Sequence, residues 1–345
     1  MSCILSYTTP LCELYPRCQS SCRIGDDIWM VRRLEGFKFE MHTFNMNSKA
    51  FHKVLFNNKE VIEGDNQQFE YDKDFVITSA NDKIYMLREY TAFCRLSVFD
   101  PMTSSWTKLK DTELYYGYSR WKNFFIVDEY LYFMEYEEQA LYIMSLVTFD
   151  IMDCELPTQS MKNRLCEING MIYAVATKMN GMRIVYQYDN QLNRFKKVTG
   201  KNQKPKNYLK HNDEDHTWFL YNDGNKIYHI IDKEHFNIII DCFDIETKKW
   251  TTVGRNKPFD LPIESAFGNG KQIYFVGHEY LKIEVLDMEP SLEMLSMNRV
   301  ADLIVANNIN VINSLPIEMR QQLKFMVERK ERDVNRRKRR RVGRR

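Results

Sequence analysis

The chain has 345 residues, of which 44% are apolar, 28% charged and 13% aromatic. This composition can bury a large core, which excludes a disordered chain, and thirteen Gly and nine Pro are too few for a collagen-like protein. The net charge is +2, but residues 329–345 contain eleven Lys or Arg and two acids, a local charge of +9. The remainder of the chain is therefore acidic.

The start of the chain and its cysteines predict a location inside the cell. Residues 1–12 have neither the basic region nor the apolar stretch of a secretory signal. No apolar run reaches the roughly 18 residues that a membrane span needs, so we expect no membrane contact. The eight Cys residues are expected to be reduced thiols. The spacing of Cys12, Cys18 and Cys22 lacks a C-x2-C pair, and their role is left open.

A branched apolar residue followed by an aromatic one recurs along the chain, and six copies are spaced 41 to 56 residues apart. Several copies follow an apolar stretch and a polar turn such as Asn169-Gly170, a pair that takes the positive φ angles of a tight hairpin. The six copies are Ile28-Trp29, Ile84-Tyr85, Leu131-Tyr132, Ile172-Tyr173, Ile227-Tyr228 and Ile273-Tyr274. Each copy predicts a strand, a turn and a second strand.

A second pattern follows each hairpin, in which a bulky residue precedes Asp or Asn and another bulky residue lies seven positions after the first. The copies are Phe44-Asn45 with Phe51, Phe99-Asp100 with Trp106, Phe149-Asp150 with Leu156, Tyr188-Asp189 with Phe195, and Phe243-Asp244 with Trp250. A sixth copy begins at Leu286-Asp287, but Glu293 stands at its seventh position. Because Asp and Asn side chains start turns, we expect a third and a fourth strand here, with the last bulky residue buried between neighbouring units.

Each unit is thus predicted to be a four-stranded meander of about 40–55 residues, and one such sheet cannot bury both of its faces alone. Radial stacking of the units leaves only short, protected edges. The prediction is an all-β fold, a six-bladed β-propeller of four-stranded antiparallel blades over residues 20–296.

Two segments resemble a known family. Residues 99–106 and 243–250 are similar to the aromatic-Asp-x5-Trp segment of kelch-repeat propellers, and the resemblance covers roughly residues 20–296. It implies a binding scaffold, often the substrate-recognition part of a ubiquitin ligase. Fewer than 25 residues precede the first unit, so we expect no BTB domain here.

The two ends of the chain are predicted to close and extend the propeller. A terminal strand must pair into the last blade, and either residues 1–19 or Leu292 to Leu295 could supply it. Residues 297–334 are expected to form a short, mostly helical extension, because Ser314 and Pro316 favour a helix start. Residues 297–313 fit either a helix or part of a seventh blade. Residues 335–345 are expected to be a disordered basic tail.

The tail contains six consecutive basic residues, namely Arg336, Arg337, Lys338, Arg339, Arg340 and Arg341. Such a run is typical of a nuclear localisation signal that a nuclear import receptor binds. A nonspecific contact with nucleic acid, or simple solubilisation, is the alternative. We therefore expect a nuclear location, shared in part with the cytoplasm.

The sequence contains no G-x-S-x-G, H-E-x-x-H, P-loop or dinucleotide-binding pattern. We accordingly expect no enzyme, no cofactor and no metal site. His229 lies within an apolar strand and is predicted to be a core histidine. A propeller hydrolase acting on a polymer is the alternative, and it would require a pair of carboxylates on one rim.

Binding is expected on the rim that carries the connections between second and third strands and those between blades, since loops concentrate binding residues. Tyr and Arg often anchor protein interfaces. The connector between units two and three supplies Tyr115, Tyr116, Tyr118 and Arg120, and a second group comprises Tyr90, Phe93, Tyr136, Phe236, His278 and Tyr280. The resulting prediction is a noncatalytic protein-interaction scaffold. The alternative to both scaffold and hydrolase is a tail-mediated protein associated with nucleic acid or chromatin.

Overall fold

A computed structural model describes residues 4–8, 18–34, 38–58, 75–90, 93–112, 122–134, 140–156, 162–177, 183–199, 217–233, 237–258, 263–269, 271–277, 282–287 and Val327. The strands of the first half are β1 (Ile4–Thr8), β2 (Cys18–Ile24), β3 (Asp27–Arg33), β4 (Phe39–Asn45), β5 (Phe51–Val54), β6 (Phe75–Ala80), β7 (Lys83–Glu89), β8 (Cys94–Asp100), β9 (Ser105–Thr112), β10 (Lys122–Val127), β11 (Tyr130–Met134) and β12 (Ala140–Ser145). Those of the second half are β13 (Ile151–Glu155), β14 (Lys162–Ile168), β15 (Met171–Thr177), β16 (Arg183–Asp189), β17 (Arg194–Lys197), β18 (Thr217–Asp223), β19 (Lys226–Lys233), β20 (Asn237–Asp244), β21 (Lys249–Pro258), β22 (Ile263–Gly268), β23 (Gln272–Gly277) and β24 (Lys282–Asp287).

These strands form six four-stranded sheets, which confirms the predicted six-bladed β-propeller. Sheets 1 to 5 take their strands in chain order, from β2-β3-β4-β5 to β18-β19-β20-β21, and neighbouring strands in them are antiparallel. Sheet 6 has the order β1-β24-β23-β22, so its outer strand comes from the start of the chain. This order explains why the sixth copy of the second pattern has no bulky residue at its seventh position.

A recurrent four-residue turn joins the third and fourth strands of sheets 1 to 5. In sheet 1 the Asn45 Oδ1 accepts hydrogen bonds from the N–H groups of Asn47 and Ser48 at 3.0 and 2.8 Å. Asp100, Ser145, Asp189 and Asp244 accept equivalent bonds in the next four sheets. The last residue of each turn takes a positive φ, at Lys49, Ser104, Phe149, Asn193 and Lys248. The predicted role of the Asp or Asn in starting this turn is thus confirmed in sheets 1, 2, 4 and 5.

The structure corrects the register that the second pattern predicts in sheet 3. Strand β12 ends at Ser145, and Met144 pairs with Ile151 across to β13. Phe149 lies in the turn with φ 61°, not at the end of a strand. Ser145 therefore occupies the Asp position, since a Ser hydroxyl can bond the backbone ahead as a carboxylate does. The sequence pattern misses it because it asks for Asp or Asn.

The first strands of the six sheets pack side by side, and β22 lies against β2 as well as β18. Hydrogen bonds link them, for example from Ile77 N–H to Ser20 Oγ at 2.9 Å and from the Arg23 guanidinium to the Gly268 carbonyl. Gly268 is required where it stands, because a Cβ there would overlap the ring of Tyr221.

Apolar clusters fill the spaces between neighbouring sheets. Trp106 is fully buried in a cluster of side chains from sheets 1 and 2, where its ring centroid lies 5.3 Å from that of Phe99. Trp250 is half-buried against a cluster from sheets 4 and 5. Phe99 pairs with Trp106 and Phe243 with Trp250 across their strands. The predicted packing of these two tryptophans between units is confirmed.

The chain forms two compact units. The first comprises Tyr7–Gly268 and Phe275–Ile283, and the second comprises Met1–Ser6, Asn269–Tyr274 and Glu284–Arg345. The first unit contains sheets 1 to 5 and β22. After Asp287 only Val327 is described, and it is buried. The predicted helical extension and basic tail otherwise lie outside the described residues, and so do residues 292–295.

Candidate protein-interaction site

Two of the ten predicted partner-binding residues, Tyr90 and Phe93, fall in the described part of the chain. Both lie where β7 passes into β8, as the sequence predicts for a connection between a second and a third strand. The others lie outside the described residues, namely Tyr115, Tyr116, Tyr118, Arg120, Tyr136, Phe236, His278 and Tyr280. The six basic residues of the tail also lie outside them.

In a four-stranded meander, the connection between strands two and three lies at one end, and the other two turns lie at the opposite end. We call the first end the loop edge and the second the turn edge. At the loop edge of sheet 2, the Tyr90 N–H donates to the Phe93 carbonyl at 2.8 Å. Their rings stack with centroids 4.7 Å apart and an interplanar angle of 20°. The two aromatics are thus held together by the backbone.

Two arginines extend this pair into a layered cluster. The guanidinium of Arg88 lies between the rings of Phe39 and Tyr90, 5.0 and 4.7 Å from their centroids. Arg95 lies 5.2 Å from the Tyr90 centroid and 5.5 Å from that of Phe93. Both distances suit cation–π attraction. We call Arg88, Tyr90, Phe93, Arg95 and Asp111 the loop-edge cluster.

Asp111 completes the cluster by fixing Arg95. The Arg95 Nε donates to the Asp111 Oδ1 at 2.8 Å, and the Lys108 Nζ lies 2.6 Å from its Oδ2. Burial by itself would raise the pKa of Asp111, but the hydrogen bonds from Arg95 and Lys108 outweigh it and lower that pKa. The carboxylate is therefore ionised at neutral pH and holds Arg95 in one orientation.

The members of the cluster differ in their exposure. Tyr90 is only 2% exposed and Arg88 is also buried, whereas Phe93 and Arg95 are half-buried. Tyr90 consequently supports the cluster from beneath, and Phe93 and Arg95 present its accessible face. The sequence indicates the two aromatics but not this division, because the burial depends on Phe39, which comes from β4 of the neighbouring sheet.

A second cluster of charged side chains lies inside the first unit, between sheets 4 and 5. The guanidinium of Arg183 hydrogen-bonds the Asp241 carboxylate, and both side chains are almost fully buried. The Thr252 Oγ1 donates to the Asp241 Oδ1 at 2.6 Å, and the Trp250 ring centroid lies 5.3 Å from the Arg183 guanidinium. Nothing in the sequence pattern marked Arg183 or Asp241, since their meeting depends on the stacking of two sheets.

His229 lies in the same region and is fully buried, as predicted for a core histidine. Burial lowers its pKa well below the ordinary value, and the positive charges of Arg183 and Arg164 lower it further. The imidazole is therefore neutral. The chemistry of this cluster suits a structural contact that holds sheets 4 and 5 together.

Among the described residues, no group of three or more His, Cys, Asp or Glu side chains is placed to hold a metal ion. Cys22 lies in the core between sheets 1 and 2, and burial raises the pKa of its thiol. Cys12 lies outside the described residues. A membrane-spanning helix is also not found in the described ranges.

The turn edge carries exposed apolar side chains on three neighbouring sheets. Sheet 2 contributes Met102, sheet 3 contributes Tyr130, Val147, Ile151 and Met152, and sheet 4 contributes Met171 and Leu192. A groove of about 380 Å³ lies in sheet 4 between Met171, Tyr188 and Lys196. No motif in the sequence marks these residues as a binding surface. A correct register in sheet 3 would have placed Val147 at the same turn position as Met102.

Comparison with known proteins agrees with a propeller and goes no further than the fold. No family model matches this chain, and no curated protein matches it. Among solved structures, an auxiliary nutrient binding protein from Bacteroides thetaiotaomicron is 9% identical with a TM-score of 0.50, over 83% of this chain and 76% of that one. The SapL1 lectin in complex with alpha methyl fucoside is 10% identical with a TM-score of 0.47, over 77% and 89%.

An oligogalacturonate lyase in complex with manganese is 12% identical with a TM-score of 0.41, over 76% of this chain and 74% of that one. At these identities the similarity concerns the fold alone, since one fold supports many unrelated functions. The class defined by the sheets is the six-bladed β-propeller.

Proposed function

We propose that this chain is a noncatalytic, kelch-like propeller scaffold that binds a protein partner through its loop edge. The observation that carries the proposal is the loop-edge cluster, in which Phe93 and Arg95 are accessible and held in place by buried neighbours. Aromatic and Arg side chains anchor many protein interfaces. Because the stacking and the Asp111 ion pair already fix these groups, little conformational entropy is lost when a partner binds.

The chemistry of the cluster favours binding over catalysis. Its single carboxylate, Asp111, is engaged by Arg95 and Lys108, which lower its pKa and so disfavour proton transfer near neutral pH. The other members are two arginines and two aromatics. Such a set binds backbone carbonyls, carboxylates and apolar side chains of a protein partner.

The proposal also assigns partner contacts to the connector between sheets 2 and 3. Strand β9, which contains Asp111, ends at Thr112, and the connector follows it in the sequence. Tyr115, Tyr116, Tyr118 and Arg120 belong to this connector. The kelch resemblance adds a substrate-recognition subunit of a ubiquitin ligase as the assembly to test, and the basic tail adds a nuclear location.

The test is affinity capture with the tagged full-length protein, followed by binding measurements with each purified partner. We expect Phe93→Ala combined with Arg95→Ala to weaken binding at least about tenfold. Val253→Ala is the matched control, since Val253 is an exposed apolar side chain of sheet 5, and it should leave binding unchanged. If deletion of residues 329–345 removes every partner while the double variant removes none, the tail and not the loop edge is the binding site.

A further inference from the structure

We propose that the turn edge of sheets 2 to 4 is a second docking surface, which binds a short basic amphipathic segment of a partner protein. This surface lies at the opposite end of the strands from the loop-edge cluster. The inference therefore does not depend on the proposed function, and each can fail without the other.

Large apolar side chains are exposed at the turns of this edge. Met102 is 93% exposed, Val147 64% and Met152 51%. A contiguous exposed apolar surface on a protein commonly marks a binding site. Sheets 1 and 5 carry the polar residues Asn47 and Glu246 at the position that Met102 and Val147 occupy in sheets 2 and 3. At this turn position the apolar residues of sheets 1 to 5 are thus those of the neighbouring sheets 2 and 3, while sheet 4 carries Gln191 there and exposes Leu192 beside it.

The turns of sheets 2, 3 and 4 lie next to one another. The turn of each sheet lies against the outer strand of the sheet before it. The Lys110 Nζ of sheet 2 is 5.8 Å from the Phe149 ring centroid in the turn of sheet 3. The Cys154 Sγ of sheet 3 donates to the Asn193 carbonyl in the turn of sheet 4 at 3.5 Å. These contacts place the turns of sheets 2, 3 and 4 next to one another, and we call their exposed apolar side chains, with the groove beside Met171 at one end, the stripe.

Within sheet 3 the register brings the exposed residues together. Tyr130 pairs with Ser145, and Met144 pairs with Ile151. The start of β11, the turn after β12 and the start of β13 therefore share one end of the sheet. Four exposed apolar residues lie at this end and form the centre of the stripe, with Ile151 and Met152 on opposite faces of the sheet.

Exposed carboxylates lie around the stripe in sheet 3. Asp128, Glu129, Asp150 and Asp153 are exposed beside the apolar residues of sheet 3, and none forms an ion pair with a described Lys or Arg. In the neighbouring sheets Asp100 is paired with Lys83, and Asp189 with Lys196. The four carboxylates of sheet 3 therefore give the centre of the stripe a local negative charge, with the Lys110 ammonium beside Phe149 at its border.

Apolar side chains surrounded by carboxylates are complementary to a segment that carries apolar residues on one face and Lys or Arg around it. The same negative charge repels nucleic acid. A second copy of this chain that approached with the same surface would bring four carboxylates against four others, which is unfavourable. A basic amphipathic segment is thus the occupant that both the apolar and the charged features favour.

The experiment uses the full-length protein and a labelled peptide of about 15 residues, built from Leu and Lys in a helical pattern. The same peptide with Glu in place of Lys is the reference. We expect the Leu/Lys peptide to bind and the Leu/Glu peptide not to bind. Val147→Ser with Met152→Ser should weaken binding about tenfold, and so should Asp128→Asn with Glu129→Gln and Asp150→Asn.

Each variant has a matched control on another sheet. Val253→Ser removes an exposed apolar side chain of sheet 5, and Asp26→Asn with Glu246→Gln removes exposed carboxylates of sheets 1 and 5. These controls, and the loop-edge variant Phe93→Ala, should bind the peptide as the wild type does. Melting temperatures should agree within a few degrees, because surface substitutions change stability little.

Three results would overturn the inference. One is equal binding by the Val147→Ser/Met152→Ser variant, which would show that charge alone attracts the peptide. Another is binding of the Leu/Glu peptide with the same affinity. The last is a wild-type dimer that becomes monomeric when Val147 and Met152 are replaced, which would show that a second copy covers this surface.

Discussion

At the scale of single residues, buried charges and buried aromatic rings contribute most clearly to the packing between sheets. Arg183 and Asp241 lie almost wholly out of water, and their removal from solvent costs free energy that the ion pair and the Thr252 hydrogen bond offset. Removal of either partner alone would leave a buried charge without its counterion. These residues therefore hold sheets 4 and 5 in one relative position, and we expect them to tolerate substitution poorly.

Trp106 provides the clearest test of the packing between sheets. Trp106→Ala removes a fully buried ring from the cluster between sheets 1 and 2, and we expect it to lower the free energy of unfolding by about 3–5 kcal/mol. Chemical denaturation measures this change. Leu192→Ala is the control, since Leu192 is half exposed in a turn and should change stability by less than about 0.5 kcal/mol. Equal effects of the two variants would contradict the packing described here.

The lowered pKa of Glu40 predicts that the protein loses stability in acid. Burial would raise the pKa of Glu40, but hydrogen bonds from Lys53 and Arg32 outweigh it and lower the pKa from 4.5 to about 2. A carboxylate with a lowered pKa in the folded state adds stability above pH 4.5, and this contribution is lost as the pH falls towards 2.

We expect Glu40→Gln to be less stable than wild type at about pH 6, with a difference that shrinks as the pH falls from 4.5 to about 2. Thermal unfolding of both proteins across this range measures it. Glu155→Gln, which replaces an exposed carboxylate of sheet 3, is the control and should follow the wild type. A constant difference over the whole range would show that Glu40 acts through its shape and not its charge.

At the scale of secondary structure, the repeated turn between third and fourth strands determines the register of sheets 1 to 5. A side-chain oxygen of Asp, Asn or Ser accepts the N–H groups ahead of it, and a residue with positive φ closes the turn. None of the five closing residues is Gly. Each sheet therefore contains a position where the left-handed backbone carries a side chain at some cost.

Lys248→Gly should accordingly stabilise the protein. Lys248 has a φ of 55°, a conformation that Gly adopts without steric cost, and the gain should be about 0.5–1 kcal/mol after the larger entropy of the unfolded Gly is counted. The neighbouring Lys249→Gly is the matched control. Lys249 begins the extended strand β21, so Gly there should destabilise by about 0.5–1 kcal/mol. Destabilisation by both variants would argue against the turn geometry.

At the scale of the whole molecule, the two ends of the strands are suited to different partners. The loop edge of sheet 2 presents Phe93 and Arg95 over a buried support, whereas the turn edge of sheets 2 to 4 presents apolar side chains among carboxylates. Under our two proposals, these surfaces of different chemistry bind two partners at once. The basic run from Arg336 to Arg341 adds a third contact, which we expect to be with a nuclear import receptor.

The tail prediction is tested in cells with the full-length protein fused to a fluorescent reporter. Replacement of Arg336 to Arg341 by Ala should shift the protein from the nucleus to the cytoplasm, because import receptors bind clusters of positive charge. The control replaces Arg344 and Arg345, which lie outside the run, and should leave the protein nuclear. A nuclear signal that persists without the six basic residues would contradict the assignment.

Much of the fold could be read from local chemistry. The pattern of Phe99 with Trp106 and of Phe243 with Trp250 predicted a turn between two strands. In the structure each pair lies directly across these strands, because a turn of fixed length fixes which residues face each other. The predicted position of the turn in sheet 3 was wrong for two reasons. Ser145 stands where the pattern expects Asp, and Phe149-Asp150 matches the pattern although it belongs to the turn itself. Of the candidate site, the sequence located Tyr90 and Phe93 at a loop but could not tell which of them is accessible.

The sequence by itself determined the repeated strand–turn–strand order, because alternation, turn residues and spacing act over a few residues at a time. Only the tertiary structure decided that β1 is the outer strand of the sixth sheet, that Arg183 meets Asp241, and that Met102, Val147 and Leu192 lie along one edge. These facts join residues that are far apart in the chain. Their proximity follows from how sheets stack, and no local pattern encodes it.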